Sequence, residues 1–240
     1  MKIGLIGYGK MGKAIERIAL ERGHEIVYRI NTQFPIHQAS LQTADVAIEF
    51  TQPALAVNHI KACVAAHTPI VVGTTAWQEQ LEEVKSFVLQ NNASLLYASN
   101  FSVGVNILFQ LNEKLAQLMS NQPAYKARIE EIHHIQKLDA PSGTAVSIAN
   151  DLIQNNQNYQ SWVSETGSWP KTTASELPIK ALREPDVPGT HTITYQSEID
   201  TLILSHIAHS RDGFALGSVL AAEFLVNKKG VFTMKDVLTL

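Results

Sequence analysis

Residues 2–12 read KIGLIGYGKMG, and this stretch decides the fold class. An apolar run from Lys2 to Ile6 ends in glycine, and apolar residues at helical spacing follow from Lys10 to Arg22. The next apolar run, His24 to Ile30, completes a strand, a helix and a strand within about 30 residues, the length of a parallel crossover. The chain is therefore predicted to begin with a βαβ unit.

The turn between this strand and this helix has the form G-x-G-x-x-G. The first glycine allows the tight turn, the second lets the backbone approach a pyrophosphate, and the third lets the helix pack on the strand. The N–H groups at the start of the helix then face the negative charge. We predict that a dinucleotide coenzyme binds this turn, whose residues are Gly7, Tyr8, Gly9, Lys10, Met11 and Gly12. A glycine-rich turn without a ligand is the alternative.

Strands and helices continue to alternate up to about residue 100. Strands are predicted at 45–50, 70–72 and 94–97, and helices at 54–67 and 78–90. This alternation is typical of α/β proteins with a doubly wound parallel sheet.

After Asn100 the pattern changes to that of a second, α+β domain. Helices are predicted at 105–119 and 142–154, and strands at 125–134, 179–182, 191–196 and 201–209. Residues 155–178 are predicted to form a long loop that bears at most a short element, and residues 213–226 to form a last, apolar helix.

Composition excludes several classes of protein. The 240 residues are 45% hydrophobic and carry a net charge of −3, so the chain is long enough for packed domains and has no field that would hold nucleic acid or anionic lipid. It contains no stretch of about 18 apolar residues, which excludes a membrane helix. Cys63 is the only cysteine, so no internal disulfide forms, and a reducing, soluble compartment, the cytoplasm, is expected.

The residues after the second predicted strand leave the choice of coenzyme open. A carboxylate there favours NADH by accepting from the ribose 2′-hydroxyl, whereas a cation favours the 2′-phosphate of NADPH. This chain has Asn31 and Thr32 at that point, with Arg29 shortly before them. Asn31 serves the hydroxyl weakly and does not repel the phosphate, so either NADPH or NADH is predicted.

Two further loops follow predicted strands of the same sheet, where ligands of open α/β sheets bind. Their small residues let a planar ring approach, and their backbone groups can hydrogen-bond a nicotinamide carboxamide. We predict coenzyme contacts from both loops, although each could be an ordinary turn; the residues are Gly73, Thr74, Thr75, Ala98, Ser99, Asn100 and Phe101.

The densest polar chemistry lies at residues 133–144, HHIQKLDAPSGT. Adjacent histidines of an extended segment point to opposite sides, so one of His133 and His134 can face a pocket. Histidine titrates near neutral pH, and Lys137 can fold back toward His133 to donate a second proton. This pattern suggests proton delivery that accompanies hydride transfer.

The same segment also predicts a binding site for an acid. Ser142 can cap the following helix, and the N–H groups of Gly143 and Thr144 can then bind a carboxylate. A capped helix with surface histidines is the alternative. No second cluster has metal-ligand spacing, so no metal site is predicted, and Asp139 is interpreted as a turn residue.

Together these motifs resemble one family. GYGKMG at 7–12, DVAIEFTQP at 45–53, GTT at 73–75, ASNFSVGVN at 98–106, EIHHIQKLDAPSGTA at 131–145 and PGTH at 188–191 closely resemble 4-hydroxy-tetrahydrodipicolinate reductases. The resemblance runs nearly end to end, and the segment around His133 is its most specific part. It implies an NAD(P)H-dependent reduction of a cyclic dicarboxylate to tetrahydrodipicolinate in diaminopimelate and lysine biosynthesis.

The resemblance also implies roles for residues and domains. His133 resembles the catalytic proton donor and acceptor, and Lys137 its partner proton donor. His134, Gly143 and Thr144 resemble the contacts to substrate carboxylates. A Rossmann-like dinucleotide-binding domain is implied for residues 1–102 plus 211–240. A substrate-binding domain with an open mixed sheet, which builds a homotetramer, is implied for residues 103–210.

Three residues depart from the family pattern. Gln52 replaces a basic residue, Asn31 replaces an acidic one, and Ala76 follows GTT where glycine is common. None of them touches His133 or Lys137. Two alternatives to a reductase of this family are another dehydrogenase of an amino-acid pathway and a non-catalytic dinucleotide sensor, but a sensor needs neither proton donor.

Overall fold

The computed structural model of the chain describes residues 1–239, apart from the side chain of Gln78. The chain forms two compact units. Unit 1 comprises Met1–Val103 and the chain from Asp212 onward, and unit 2 comprises Gly104–Arg211. Within the described range, no helix is both long and apolar enough to cross a bilayer.

The strands of the two units are β1 (Lys2–Ile6), β2 (Glu25–Ile30), β3 (Val46–Glu49), β4 (Ile70–Val72), β5 (Ser94–Tyr97), β6 (Lys126–His133), β7 (Ser161–Thr166), β8 (Glu176–Arg183), β9 (Thr190–Gln196), β10 (Thr201–Ile207) and β11 (Gly230–Phe232). The α-helices are α1 (Lys10–Glu21), α2 (Pro53–Ala65), α3 (Leu81–Gln90), α4 (Val103–Met119), α5 (Gly143–Asn155), α6 (Asp212–Leu225) and α7 (Met234–Leu238).

Unit 1 is built on a parallel sheet with the strand order β11-β5-β4-β3-β1-β2. Alternate side chains point to opposite faces of each strand. On β3, Ala47 packs in the cluster that contains α2 and α3, whereas Ile48 packs in the cluster that contains α1 and α6. Helices therefore cover both faces, which confirms the predicted doubly wound parallel sheet.

The strand order places a crevice at the carboxyl ends of β1 and β3. From β1 the chain moves to β2 on one side, and it later returns to β3 on the other. The loops that leave β1 and β3 diverge there, and such switch points are where open α/β sheets bind ligands.

Unit 2 is built on a mixed sheet with the order β10-β9-β6-β8-β7. β9 is antiparallel to its neighbours β10 and β6, whereas β6, β8 and β7 run parallel. α4 and α5 pack on one face through an apolar cluster that includes Leu108 and Ile148. The opposite face leaves Ile203 61% and Ile207 60% exposed. This arrangement confirms the predicted α+β architecture with an open mixed sheet.

Four elements depart from the sequence prediction. Residues 155–178 contain the whole of β7 and the start of β8, and the chain after α6 continues into β11 and α7. β7 lies at the sheet edge and pairs with β8, so its side chains are half-buried or exposed and show no apolar alternation. β11 has three residues, too few for a period of two to be recognised.

Candidate active site

The glycine loop forms the turn from β1 to α1 in unit 1. Gly7 has a φ of +98°, and a Cβ at this position would collide with the carbonyl oxygen of Phe50. Only glycine combines this conformation with this close approach. Gly9 is the N-cap of α1, and its carbonyl accepts the N–H of Lys13 at 3.1 Å. The turn therefore has the form that a pyrophosphate requires.

A cavity of about 300 Å³ brings the glycine loop and the loop after β4 together. The N–H of Thr51 donates to Oγ1 of Thr74 at 2.7 Å, which ties the loops after β3 and β4 to each other. The lining includes seven predicted coenzyme residues, namely Gly9, Lys10, Met11, Gly12, Gly73, Thr74 and Thr75. The loops fit a coenzyme phosphate group, because their glycines leave backbone atoms accessible in a space that larger side chains would occupy.

A second cavity, of about 590 Å³, is lined by Gly7, Tyr8 and Asn31. Oδ1 of Asn31 accepts the N–H groups of Gln33 at 2.8 Å and Phe34 at 2.9 Å. The oxygen of Asn31 is thus occupied within its own turn, and its NH₂ group is the part that can donate to a ligand.

Arg29, the cation considered for a 2′-phosphate, is paired with Glu16. The guanidinium of Arg29 and the hydroxyl of Tyr8 both donate to the Glu16 carboxylate. The hydrogen bond from Arg29 lowers the pKa of Glu16, so this carboxylate stays ionised at neutral pH. A 2′-phosphate would have to compete with Glu16 for Arg29.

The loop after β5 is anchored in unit 1. The N–H of Ala98 donates to the carbonyl of Val72 at 3.2 Å, and Oδ1 of Asn100 accepts the N–H of Ser102 at 2.8 Å. The side chain of Phe101 is buried in the core, where its carbonyl packs against Gly217 of α6. The side chain and the carbonyl of Phe101 are therefore used in the core and do not face a coenzyme.

The second group of predicted residues lies in unit 2, at the end of β6. Glu131 and His133 are two residues apart on a strand, so both point to the buried face of the sheet. The register places His191 of β9 opposite Glu131, and Arg183 of β8 opposite His133. Three strands thus bring four polar side chains to one place.

Glu131 is the centre of this cluster. Its Oε1 accepts from both terminal nitrogens of Arg183 at 3.2 Å and from the N–H of Ser142 at 3.1 Å. Its Oε2 lies 2.6 Å from Nδ1 of His133. Burial alone would raise the pKa of Glu131, but the contacts with His133, Ser142 and Arg183 outweigh burial and lower it to about 2. Glu131 is therefore ionised although it is fully buried.

His191 packs against His133, with ring centres 5.0 Å apart and ring planes at 70°. Its Nε2 lies 3.1 Å from Oγ of Ser142. Burial, followed by the nearby charge of His133, lowers the pKa of His191 to about 3. His191 is consequently neutral at neutral pH.

Lys137 lies in the loop between β6 and α5. Its N–H donates to the carbonyl of His134 at 3.0 Å, and its ammonium group pairs with Asp139 at 2.8 Å. The hydrogen bond from Lys137 lowers the pKa of Asp139. Nε of Arg183 donates to the carbonyl of Lys137 at 3.2 Å, and its Nη2 donates to that of Asp139 at 2.6 Å. Arg183 therefore holds this loop in place and also binds the carboxylate of Glu131.

His134 lines a cavity of about 290 Å³ within unit 2. Nη2 of Arg211 lies 3.5 Å from Nε2 of His134 in this cavity, and Asp186 contributes a carboxylate to its wall. A guanidinium beside an imidazole can bind a carboxylate, which is the role predicted for His134.

α5 begins beside the same loop. Oγ of Ser142 accepts the N–H of Ala145 at 3.2 Å, which confirms Ser142 as the N-cap. Gly143 and Thr144 belong to the first turn of this helix, and a Cβ at Gly143 would meet no atom within 4 Å. The start of α5 is thus accessible to a ligand.

Sequence reasoning did not identify Glu131, Arg183 or His191 as site residues. Glu131 lay inside a predicted strand, and the other two are 52 and 60 residues further along the chain. One signal was available, namely a charged residue at a core-facing position of β6, because buried carboxylates are rare unless they are paired.

Comparisons with known proteins agree over the whole chain. Residues 1–101 match the family model "Dihydrodipicolinate reductase, N-terminus", and residues 104–238 match "Dihydrodipicolinate reductase, C-terminus". A 4-hydroxy-tetrahydrodipicolinate reductase of Christiangramia forsetii is 44% identical over 239 residues, which cover 100% of this chain and 98% of the relative. A reductase of the same name from Methanococcus aeolicus is 39% identical over 82% of this chain and 72% of its own length.

Solved structures show the same fold. A dipicolinate-bound dihydrodipicolinate reductase from Paenisporosarcina sp. TG-14 superposes with a TM-score of 0.74 at 21% identity and covers 98% of both chains. An amine dehydrogenase from Mycobacterium smegmatis superposes with a TM-score of 0.60 at 9% identity, over 98% of this chain and 95% of that chain.

Proposed function

This chain belongs to the dihydrodipicolinate reductase family, and from that premise we propose how its residues carry out the reaction. The chain is an NAD(P)H-dependent oxidoreductase that reduces 4-hydroxy-tetrahydrodipicolinate to tetrahydrodipicolinate in lysine and diaminopimelate biosynthesis. The roles of individual residues, the domain assignment and the assembly are our proposals.

The chemistry defines what the chain must supply. Substrate and product differ in a hydroxyl group that is exchanged for hydrogen, so the reaction consumes a hydride and a proton and releases water. The nicotinamide coenzyme, when bound, supplies the hydride. The chain must hold both reactants, deliver the proton and bind a ring that carries carboxylates.

One observation carries the assignment of proton delivery, namely the position of His133. It ends β6, and the loop that follows it holds Lys137 and leads into the N-terminus of α5. We assign proton donation to His133, with Lys137 as the second donor and stabiliser of negative charge. Gly143 and Thr144 bind one substrate carboxylate at the start of α5, a helix start that Ser142 forms as its buried N-cap. His134 beside Arg211 binds a carboxylate in its own cavity.

We assign coenzyme binding to residues 1–102 plus 211–240, and substrate binding and oligomerisation to residues 103–210. The two cavities of unit 1 support the first assignment, since they are lined by the glycine loop, Asn31 and Gly73–Thr75. The open face of the sheet of unit 2 supports a homotetramer, because Ile203 and Ile207 are exposed there. We further propose that the enzyme works in the cytoplasm, where its single cysteine stays reduced.

The test is NADH or NADPH oxidation with freshly generated 4-hydroxy-tetrahydrodipicolinate. We expect turnover with at least one coenzyme, and His133→Ala and Lys137→Ala should each lower kcat by about 100-fold or more. Coenzyme affinity, measured by fluorescence titration, should stay unchanged in both variants. Wild-type kcat in both variants would refute the roles of these residues. Folded protein that binds coenzyme but never turns over would favour the sensor or another substrate.

A further inference from the structure

The buried carboxylate of Glu131 has no role in the mechanism described so far. Burying an ionised carboxylate costs several kcal/mol unless charged and hydrogen-bonding groups compensate it. Here Arg183, the N–H of Ser142 and the ring of His133 surround it. An ionised carboxylate that needs three partners to be stable in the interior must have a chemical or a structural role.

A metal site is the first possibility to consider, because Glu131, His133 and His191 offer ligand atoms within 4.8 Å of one another. Zinc bonds to nitrogen and oxygen are about 2.0–2.2 Å long, which puts two tetrahedral ligands more than about 3 Å apart. Oε2 of Glu131 and Nδ1 of His133 are only 2.6 Å apart, and Arg183 adds a positive charge to the same carboxylate. Both facts favour an ion pair between the imidazole ring and the carboxylate, in which Nδ1 of His133 bears a proton, over a shared metal ion.

That proton determines which ring nitrogen of His133 does the chemistry. An ionised carboxylate only accepts hydrogen bonds, so Nδ1 of His133 carries the hydrogen. Nε2 is then the nitrogen that gains or loses a proton. It lies beside Gly189, where an added Cβ would be 3.0 Å from Nε2, so glycine leaves space at the reacting atom.

We propose that Glu131 and Arg183 are positioning residues that hold His133 through Nδ1, so that Nε2 exchanges the proton with the substrate. This inference rests on the proposed role of His133. In the step, the Nε2–H bond breaks and its electron pair stays on nitrogen, while the proton bonds to the substrate. Nδ1 keeps its hydrogen throughout, and Arg183 keeps the carboxylate from turning away.

The test is Glu131→Gln, with Glu130→Gln as its matched control. Glu130 is the neighbouring residue on the other face of β6 and pairs with Lys180 at 3.1 Å. Glu131→Gln should lower kcat by about 10-fold or more, because the carboxylate that orients the catalytic histidine is lost. Coenzyme affinity should stay within about two-fold, because coenzyme is bound by other residues. KM should change less than kcat, because the side-chain oxygen of glutamine can still accept the N–H of Ser142 at the start of α5. Glu130→Gln should behave as wild type.

The pH profile of kcat separates positioning from simple structural damage. The groups that face His133 are Glu131 on its own strand, His191 on β9 and Arg183 on β8. Removing the negative charge of Glu131 disfavours the protonated ring, so the limb of the profile that belongs to His133 should move to lower pH. A profile and a kcat identical to wild type would overturn the inference.

A double variant separates this inference from the function on which it rests. If Glu131 acts through His133, adding Glu131→Gln to His133→Ala should cost no further activity. A further loss of about 10-fold would overturn the inference while leaving the role of His133 intact. If His133→Ala alone keeps full activity, the proposed function of His133 fails first.

Two further measurements cover other outcomes. If Glu131→Gln does not fold, Arg183→Lys is the alternative variant. It keeps the positive charge but loses the pair of hydrogen bonds from two nitrogens to the carboxylate, and kcat should again fall at unchanged KM. Full activity of a folded Arg183→Lys would then count against the inference. Dialysis against EDTA should leave wild-type activity unchanged, and activity lost on dialysis but restored by Zn²⁺ would establish the metal site instead.

Discussion

Ala76 shows at the scale of one residue how a departure from a family pattern is accommodated. It follows Gly73-Thr74-Thr75, and its φ is +61°, in the left-handed region that favours glycine. A residue with a Cβ loses about 1–2 kcal/mol in this conformation. This position, where the family pattern has glycine, thus keeps a glycine-like backbone with alanine in place.

Ala76→Gly should therefore stabilise the protein. Relief of the strain outweighs the extra freedom that glycine gives the unfolded chain, for a net gain of about 0.5 kcal/mol. Ala66→Gly is the matched control, because Ala66, the C-cap of α2, has an ordinary φ of −87° and the protein should lose stability on the same change. Urea unfolding measures both, and equal losses in the two variants would contradict the assignment of strain to Ala76.

Gly189 provides a second test at this scale. In Gly189→Ala the new methyl carbon would lie 3.0 Å from Nε2 of His133, and we expect kcat to fall by about 10-fold while coenzyme affinity stays constant. In the control, Gly213→Ala, the added carbon would be at an ordinary contact distance, 3.6 Å from Oγ of Ser102. If both variants retain wild-type kcat, access to Nε2 is not limiting.

At the scale of elements, β6, β8 and β9 together create a dependence of stability on pH. The pKa of His191 is about 3 in the folded protein, below the ordinary 6.5 of the unfolded chain. As pH falls below 6.5, His191 binds a proton in the unfolded chain but stays neutral in the folded protein. The stability of the fold therefore declines from about pH 6.5 toward about pH 3. The pKa of Glu131 is also lowered, and its contribution is lost only below about pH 4.5.

Between pH 7 and pH 5 the effect of His191 can thus be measured apart from that of Glu131. Trp162 and Trp169 report on unit 2 once Trp77→Phe has removed the third tryptophan. The urea midpoint of this fluorescence should decrease as pH falls from 7 to 5, and His191→Gln should reduce that decrease. If the urea midpoint of His191→Gln decreases with pH as steeply as that of the wild type, the folded protein does not keep His191 neutral.

The elements also show where prediction from sequence succeeds and where it ends. β1, α1 and the glycine loop were predicted because their signals are local, namely apolar spacing and glycines at a turn. β7 and β11 were missed because one is polar at a sheet edge and the other is short. The cluster around Glu131 was missed because it depends on the register of three strands, which involves residues 52 and 60 positions apart from it along the chain.

At the scale of the whole molecule, the open face of the sheet of unit 2 leads to a prediction about assembly. Ile203 and Ile207 would be buried in the proposed homotetramer, and Ile203→Glu should therefore dissociate it. Leu89→Glu in α3 is the control, because Leu89 is 60% exposed, like Ile207, but belongs to unit 1. Light scattering after size exclusion measures both masses. A wild-type monomer, or an intact tetramer of Ile203→Glu, would contradict the prediction.

The interrupted chain of unit 1 has a consequence for how the protein is made. α6 buries Ala215, Val219 and Leu225 against one face of the sheet, yet these residues follow all of unit 2 along the chain. On the ribosome, α1 can already cover part of that face, but the apolar surface that α6 covers stays exposed on the nascent unit until unit 2 has been synthesised. Unit 2 is continuous and can fold as soon as it emerges. Unit 1 therefore begins to emerge before unit 2 but is completed after it, and its exposed apolar surface is prone to aggregate in the meantime.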